Sequence, residues 1–323
     1  MRIVFLDRDS LPATENFMGP ETPHDLVQYP RTTPDQVIGR IRDADIVIVN
    51  KVVLDAVAIA AAPRLRMIAV AATGTDNVDL EACNQRAIVV SNVRDYAVHT
   101  VPEHTFALML ALQRNLLAYR QSVREGRWQE SGQFCYFDFP VRDLAGSTLG
   151  IIGRGALGEA VAGIARAFGM HVQFAARRGA GKPGDDYVDF EQVLRTSDVI
   201  SLHCPLNAQT RGMIGAAEFV LMERRPLLVN TGRGGLVDEH ALEHALRNGQ
   251  ISGAGFDVSS QEPPAPDHPL MRLLDHPNFI LTPHVAWASE SAIRTVIQQV
   301  RANIDAFLRD EPRSMVAGRR AVP

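Results

Sequence analysis

Lysine is almost missing from this chain. Of 33 positive side chains in 323 residues, only Lys51 and Lys182 are lysines, leaving 31 arginines. A compositional bias toward arginine accounts for the exchange. It singles out Lys51, which directly follows the run Asp45-Ile46-Val47-Ile48-Val49-Asn50. Cysteine is scarce as well. Cys83, Cys135 and Cys204 are too few and too scattered for a disulfide framework or a zinc site, so no metal is expected. No apolar run reaches the roughly 18 residues that a membrane span requires. No block of like charge stands out against a net charge of -4, which argues against a nucleic-acid groove or a membrane-surface role. Repeats and low-complexity tracts are absent too. Hydrophobic residues at 46% and charged ones at 22% exclude a largely disordered chain, and the length suits two domains. The opening Arg2-Ile3-Val4-Phe5-Leu6-Asp7 reads as a strand and not a secretory signal, so a cytoplasmic protein is expected.

What is present is alternation. Short β-branched runs trade with helical patterns, the mark of a parallel α/β architecture. Strands are predicted at 2–6, 45–49, 67–71 and 88–91, then at 148–152, 171–175, 198–202, 226–230, 252–256 and 278–281. A helix should start near residue 101, where Thr100 and Glu103 offer a capping box and Pro102 lies in the first turn. A second runs from Asp238 to Asn248 with Gly249 as its cap, and a last one covers about 289–309. Gly179 to Asp186 is expected to be a flexible loop.

Between the first pair of second-set strands lies Gly153-Arg154-Gly155-Ala156-Leu157-Gly158, a G-x-G-x-x-G after a strand and before an Ala-rich helix. That context points to a dinucleotide. Gly153 allows the tight turn, Gly155 lets backbone approach a pyrophosphate, and Gly158 lets helix pack on strand. A ligand-free glycine turn is the alternative. NAD sites end the next strand in an acid that bonds the ribose hydroxyls. Here the strand ends in Ala176-Arg177-Arg178, and two guanidinium groups favour a 2′-phosphate. NADP(H) is therefore expected over NAD(H), which stays possible; a solvated basic loop is the alternative.

Three later segments carry a resemblance. Asn230-Thr231-Gly232-Arg233-Gly234-Gly235-Leu236-Val237-Asp238-Glu239, Gly253-Ala254-Gly255-Phe256-Asp257-Val258 with Glu262-Pro263, and Leu281-Thr282-Pro283-His284-Val285-Ala286-Trp287 occur in that order. They resemble the arginine, glutamate and histidine signatures of the D-isomer-specific 2-hydroxyacid dehydrogenases. Val49-Asn50-Lys51-Val52, Thr73-Gly74-Thr75-Asp76-Asn77-Val78-Asp79, Asp138-Phe139-Pro140 and His284-Val285-Ala286-Trp287-Ala288-Ser289 resemble its glycerate dehydrogenase, or hydroxypyruvate (glyoxylate) reductase, branch. Ser259 and Ala176 depart from the family pattern, which usually has an aromatic and an acid there.

The resemblance implies two doubly wound parallel-sheet domains. A flavodoxin-like substrate domain would hold 1–98 and 289–323, with a Rossmann nucleotide domain of 99–288 inserted and the active site in the cleft. His284 would give the proton, since an ordinary imidazole titrates near ~6.5. Glu262 would orient it and favour the imidazolium, and Arg233 would grip the substrate carboxylate through its planar fork. Asp257 would border the nicotinamide, with Thr231 and Gly232 also on the cofactor and Cys204, Pro205 and Thr210 beside the adenosine. Lys51, Thr73 and Gly74 would meet the substrate. A structural ion pair for Arg233, a loop carboxylate for Glu262 and a plain turn for Thr73 stand as alternatives. The aromatic run Phe134, Tyr136, Phe137 and Phe139 is expected to reach a second subunit in a homodimer, or to pack within its own chain. The substrate would be a small 2-keto or 2-hydroxy acid. The rivals are a dehydrogenase for a bulkier keto acid and a non-catalytic dinucleotide sensor of the same fold.

Overall fold

The computed structural model describes residues 1–179, 184 and 186–318. Lys182 and most of the loop expected over Gly179–Asp186 lie outside them. The chain divides into two compact units, one of Met1–Tyr96 with the segment from Ala288 on, the other Ala97–Trp287.

The first unit is built on β1 (Arg2–Phe5), β2 (Asp25–Gln28), β3 (Ile46–Val49), β4 (Met67–Val70), β5 (Val89–Ser91) and β12 (Met315–Ala317). Their order is β12-β5-β4-β3-β1-β2, parallel except for β12, which runs antiparallel to β5. The 2-1-3-4-5 order of its parallel strands is the flavodoxin-like arrangement. Central β3 and β4, Ile-Val-Ile-Val and Met-Ile-Ala-Val, are buried at every residue, as a sheet covered on both faces requires. The short edge strand β2, Asp-Leu-Val-Gln, has no fully buried residue.

In the second unit β6 (Thr148–Ile152), β7 (His171–Phe174), β8 (Val199–Leu202), β9 (Leu227–Asn230), β10 (Gly253–Phe256) and β11 (Phe279–Leu281) form an all-parallel sheet ordered β11-β10-β9-β8-β6-β7. A parallel bridge from Ala175 to Val188 continues it past β7. Chain order reverses at β6, so the turn after β6 opens at the topological switch point, where doubly wound sheets take their ligands. The helix Thr100–Gln113 buries Phe106, Leu108 and Met109 in one core with Leu149, Ile151 and Val229. His99 takes its N-cap position, and the Thr100 hydroxyl donates to the Ala286 carbonyl instead (3.0 Å), so the capping box does not form. The helix Glu239–Arg247 does start on Asp238, whose carboxylate accepts from His240 and Ala241, and Gly249 follows it at φ +66°. Among the described residues no helix is long and apolar enough to cross a membrane.

Candidate active site

The turn after β6 is shaped by what its glycines lack. Gly153 has φ +106°, and a Cβ on Gly158 would lie 2.1 Å from the Gly153 carbonyl oxygen, so only glycine lets the helix Ala156–Ala167 sit so close to the turn. A Cβ on Gly155, at the N-cap, would meet nothing within 4 Å. The first-turn N–H groups of that helix have no intrahelical acceptor and face this space, which fits a phosphate.

At the end of β7 the basic side chains differ in their partners. Arg154 lies over the Phe174 ring and bonds Glu159 (2.5 Å), with Asp186 at 3.4 Å. Arg178 pairs with the buried Glu218 carboxylate at 2.7 Å, while Glu218 also accepts from the Gly215 N–H. Arg177 is exposed and, among the described residues, forms no ion pair. Ala176 donates its N–H to the Val188 carbonyl, and no acid stands at this position.

Three loops at the ends of β9, β10 and β11 carry the arginine, glutamate and histidine. Asn230, fully buried, folds the first: its Oδ1 accepts from Gly232 N–H (3.1 Å) and its Nδ2 donates to the Arg233 carbonyl (3.0 Å). Arg233 in turn donates Nη1 to the Gly232 carbonyl, and the Thr231 hydroxyl bonds that of buried Thr105 at 2.9 Å. A Cβ on Gly234 would lie 1.9 Å from the Ser259 carbonyl oxygen, so the first loop packs backbone to backbone on the second. In the second loop the Glu262 carboxylate accepts from the Ser259 N–H (3.1 Å) through Oε1 and meets His284 Nδ1 at 2.7 Å through Oε2. Both side chains keep solvent access, 24% for His284 and 34% for Glu262.

Asp257, 1% exposed, fixes the third loop. Its carboxylate accepts from the Thr282 hydroxyl (2.5 Å) and from the N–H groups of Val285 (2.9 Å) and Ala286 (2.8 Å). His104 Nε2 bonds the same threonine at 3.0 Å. His284 sits at φ +55°, a left-handed conformation that costs about 1–2 kcal/mol for a residue with a Cβ. Its N–H, donated to the Asp257 and Thr282 carbonyls, helps to hold it there.

The remaining candidates belong to other segments of the chain. Lys51, Thr73 and Gly74 belong to the first unit. There the Asp7 carboxylate accepts the N–H groups of Asn50, Lys51 and Val52, and burial pushes it up from the usual carboxylate range. Thr73 donates its hydroxyl to the Val93 carbonyl, and Asn92 donates to the Thr73 carbonyl. Thr210 closes a turn on the Pro205 carbonyl (2.7 Å). Burial pushes the Cys204 thiol up to about 11, and its Sγ rests on Met213, which makes it packing rather than a nucleophile. Asp7, Asn230, Glu239 and His268 shape these loops and were not among the sequence candidates. A signal existed for three of them: Asp7 lies two residues past β1, Asn230 ends β9, and Glu239 opens a helix.

Comparison with known proteins decides the family. Residues 106–286, more than half of the chain, match the family model for the D-isomer specific 2-hydroxyacid dehydrogenase, NAD binding domain. The chain belongs to the D-isomer-specific 2-hydroxyacid dehydrogenase family. It is similar to the glycerate dehydrogenase of Methylorubrum extorquens, 49% identical over 98% of both chains. Among solved structures it resembles an NADPH-dependent glyoxylate/hydroxypyruvate reductase from Sinorhizobium meliloti, with TM-score 0.80, 30% identity and 98% of both chains covered. It also resembles a D-lactate dehydrogenase from Aquifex aeolicus complexed with NAD and lactic acid, with TM-score 0.85, 27% identity, and 99% of this chain and 100% of that one covered. As a member of the 2-hydroxyacid dehydrogenase family this chain is an oxidoreductase that uses a nicotinamide dinucleotide.

One half-buried histidine beside the glycine turn makes a prediction about stability in this dehydrogenase. His203 precedes Cys204, its Nε2 bonds the Ser201 hydroxyl at 2.8 Å, and its buried Nδ1 has no partner among the described residues. Burial pushes the imidazole down to about 4. The unfolded chain binds a proton near pH 6.5 and the folded one does not, so stability is complete above pH 6.5 and is lost as pH falls toward 4. The loss is on the order of 3 kcal/mol. Urea unfolding between pH 7 and pH 4.5 should show a smaller loss in His203→Phe than in wild type; equal slopes would mean the native imidazole is protonated.

Proposed function

We propose that this dehydrogenase reduces small 2-keto acids of the hydroxypyruvate and glyoxylate type to D-2-hydroxy acids, with NADPH preferred over NADH. Within it, residues 99–288 bind the dinucleotide, and 1–98 with 289–323 bind the substrate. The observation that carries this reading is the 2.7 Å contact between Glu262 and His284, on a loop packed against the one that bears Arg233. The names of the Methylorubrum and Sinorhizobium relatives supply the substrate class.

The roles follow from charge and geometry. Arg233 pairs with the substrate carboxylate and leaves the C2 carbonyl toward His284. When bound, the nicotinamide supplies the hydride to C2. His284, held through Nδ1, donates a proton from Nε2 to the carbonyl oxygen, which becomes the hydroxyl. Glu262 stabilises the imidazolium before transfer and keeps the ring in one orientation. Lys51, Thr73 and Gly74 contribute further contacts to the substrate carboxylate. His284→Ala should lower turnover by roughly 10²–10⁴-fold with little change in cofactor affinity. Glu262→Gln should move the alkaline limb of the reduction profile to lower pH, because the imidazolium loses its anionic partner. Near-normal turnover in the first, or an unmoved limb in the second, would remove that residue from the mechanism.

Cofactor choice rests on the end of β7. An acid at position 176 would repel a 2′-phosphate, and Ala176 does not. Arg177 has its guanidinium in solvent and is the main phosphate ligand; Arg178, already bonded to Glu218, adds less. One charge-assisted contact of about 1.5–3 kcal/mol gives at least about tenfold preference for NADPH in kcat/KM. Ala176→Asp with Arg177→Ala should erase or reverse it, measured at matched ionic strength. Equal use of NADH by wild type would sink this assignment.

A homodimer completes the reading. Tyr136 and Phe139 pack on Tyr119 of their own chain, whereas Phe134 and Phe137 are 89% and 86% exposed. Side chains that large and apolar are suited to an interface. Sedimentation should give twice the chain mass for wild type and one chain mass for Phe134→Asp with Phe137→Asp. A monomeric wild type would refute the interface.

A further inference from the structure

Behind the glutamate loop lies a second polar cluster. Glu239, 7% exposed, is the first residue of the helix Glu239–Arg247 and comes six positions after Arg233. Its Oε1 accepts from the Ser260 N–H at 2.8 Å, and its Oε2 accepts from the Ser260 hydroxyl and from His268 Nε2 at 3.0 Å. His268 Nδ1 accepts the Leu270 N–H at 3.3 Å, which leaves Nε2 as the ring's donor to Glu239. A carboxylate with three donors at a helix N-terminus is a strong, fixed anchor.

The anchored residue is the informative one. Ser260 is next to Ser259, whose N–H bonds Glu262 Oε1, and Glu262 Oε2 holds His284. Glu239 therefore ties the helix that follows the Arg233 loop to the turn that presents Glu262.

We propose that Glu239, with Ser260 and His268, is a positioning residue for the proton relay: it pins the Ser259–Glu262 turn so that Glu262 stays in hydrogen-bond reach of His284. This rests on the reading of Glu262 and His284 as that relay. The ring of His284 titrates in the field of Glu262, of Asp257 and His104 behind its own loop, of Arg233 on the loop packed against Ser259, and of Glu239 and His268 through the turn. Of these, only Glu239 and His268 bind Ser260. Losing the pin leaves the other charges in place and loosens Glu262 alone.

The test is the pH dependence of keto-acid reduction, with hydroxypyruvate and NADPH, in single and paired variants. Glu239→Gln should lower kcat about tenfold, keep the KM for NADPH within about twofold, and move the alkaline limb to lower pH by about half a unit. Ser260→Ala, at an exposed residue that keeps its N–H, should move it the same way by less, and Ser260→Thr should restore it. In a Glu262→Gln background the same changes should add less than about twofold and no further shift, because a residue that acts through Glu262 has nothing left to act on. An unmoved limb in Glu239→Gln and Ser260→Ala, or effects that multiply fully in the Glu262→Gln background, would overturn the proposal. If Glu239→Gln does not fold, the Ser260 series decides alone. Failure of the relay itself reads differently: Glu262→Gln would then keep the wild-type rate and limb.

Discussion

The histidine loop is held in place by one buried carboxylate. Asp257 directly follows β10 with two oxygens facing a loop that has left the sheet, and three donors from that loop fill them. Buried N–H groups need acceptors, and an irregular loop has no ladder to supply them. Without Asp257 the N–H groups of Val285 and Ala286 would be stranded at a cost of about 1–3 kcal/mol each. The backbone carbonyl of the same residue accepts the His284 N–H and helps to keep that histidine in a left-handed conformation that its Cβ disfavours. The carboxylate's charge is taken up by two backbone N–H groups and the Thr282 hydroxyl.

That device recurs at other strand ends. Asp7, after β1, gathers the N–H groups of Asn50, Lys51 and Val52; Asn230, closing β9, shapes the turn before Arg233. Parallel sheets bring several strand ends to one edge, where the chain must turn away with its backbone unpaired. A short polar side chain at the end of a strand or just past it satisfies those groups, in its own loop for Asn230 and in the loop after a neighbouring strand for Asp7 and Asp257. Order in these loops comes from polar side chains at or just past the strand ends.

The sequence showed some of these features and hid others for a physical reason. Runs such as Ile46–Val49 and Leu227–Asn230 announce buried strands because every residue is inside. The glycine turn is legible because its demands are local: the Gly158 contact is with Gly153, five residues away. β2 and β12 escape because they are short edge strands of mixed burial, with no alternation to read. The Thr100 cap fails because Ala286, far along the chain, offers its hydroxyl a better acceptor. Asp7, Glu239 and His268 act on partners distant in sequence, which no local pattern encodes; Arg178 looks equivalent to Arg177 until Glu218 is found beside it.

Arginine abundance can now be weighed against arginine use. Several of these side chains work on backbone: Arg8 donates to the Leu11 and Pro12 carbonyls, Arg86 to that of Ala62, and Arg272 to that of Asp267. A planar fork with five donors suits that task better than an ammonium. Most arginines in a chain almost without lysine thus need no ligand to explain them, and near β7 the same holds for Arg154 with Glu159 and Arg178 with Glu218. Arg177 differs. It is exposed, follows the alanine that replaces an acid, and has no ion-pair partner among the described residues. Composition explains why the residue is an arginine; its exposed place after Ala176, with no ion pair among the described residues, is what sets it apart from Arg154 and Arg178.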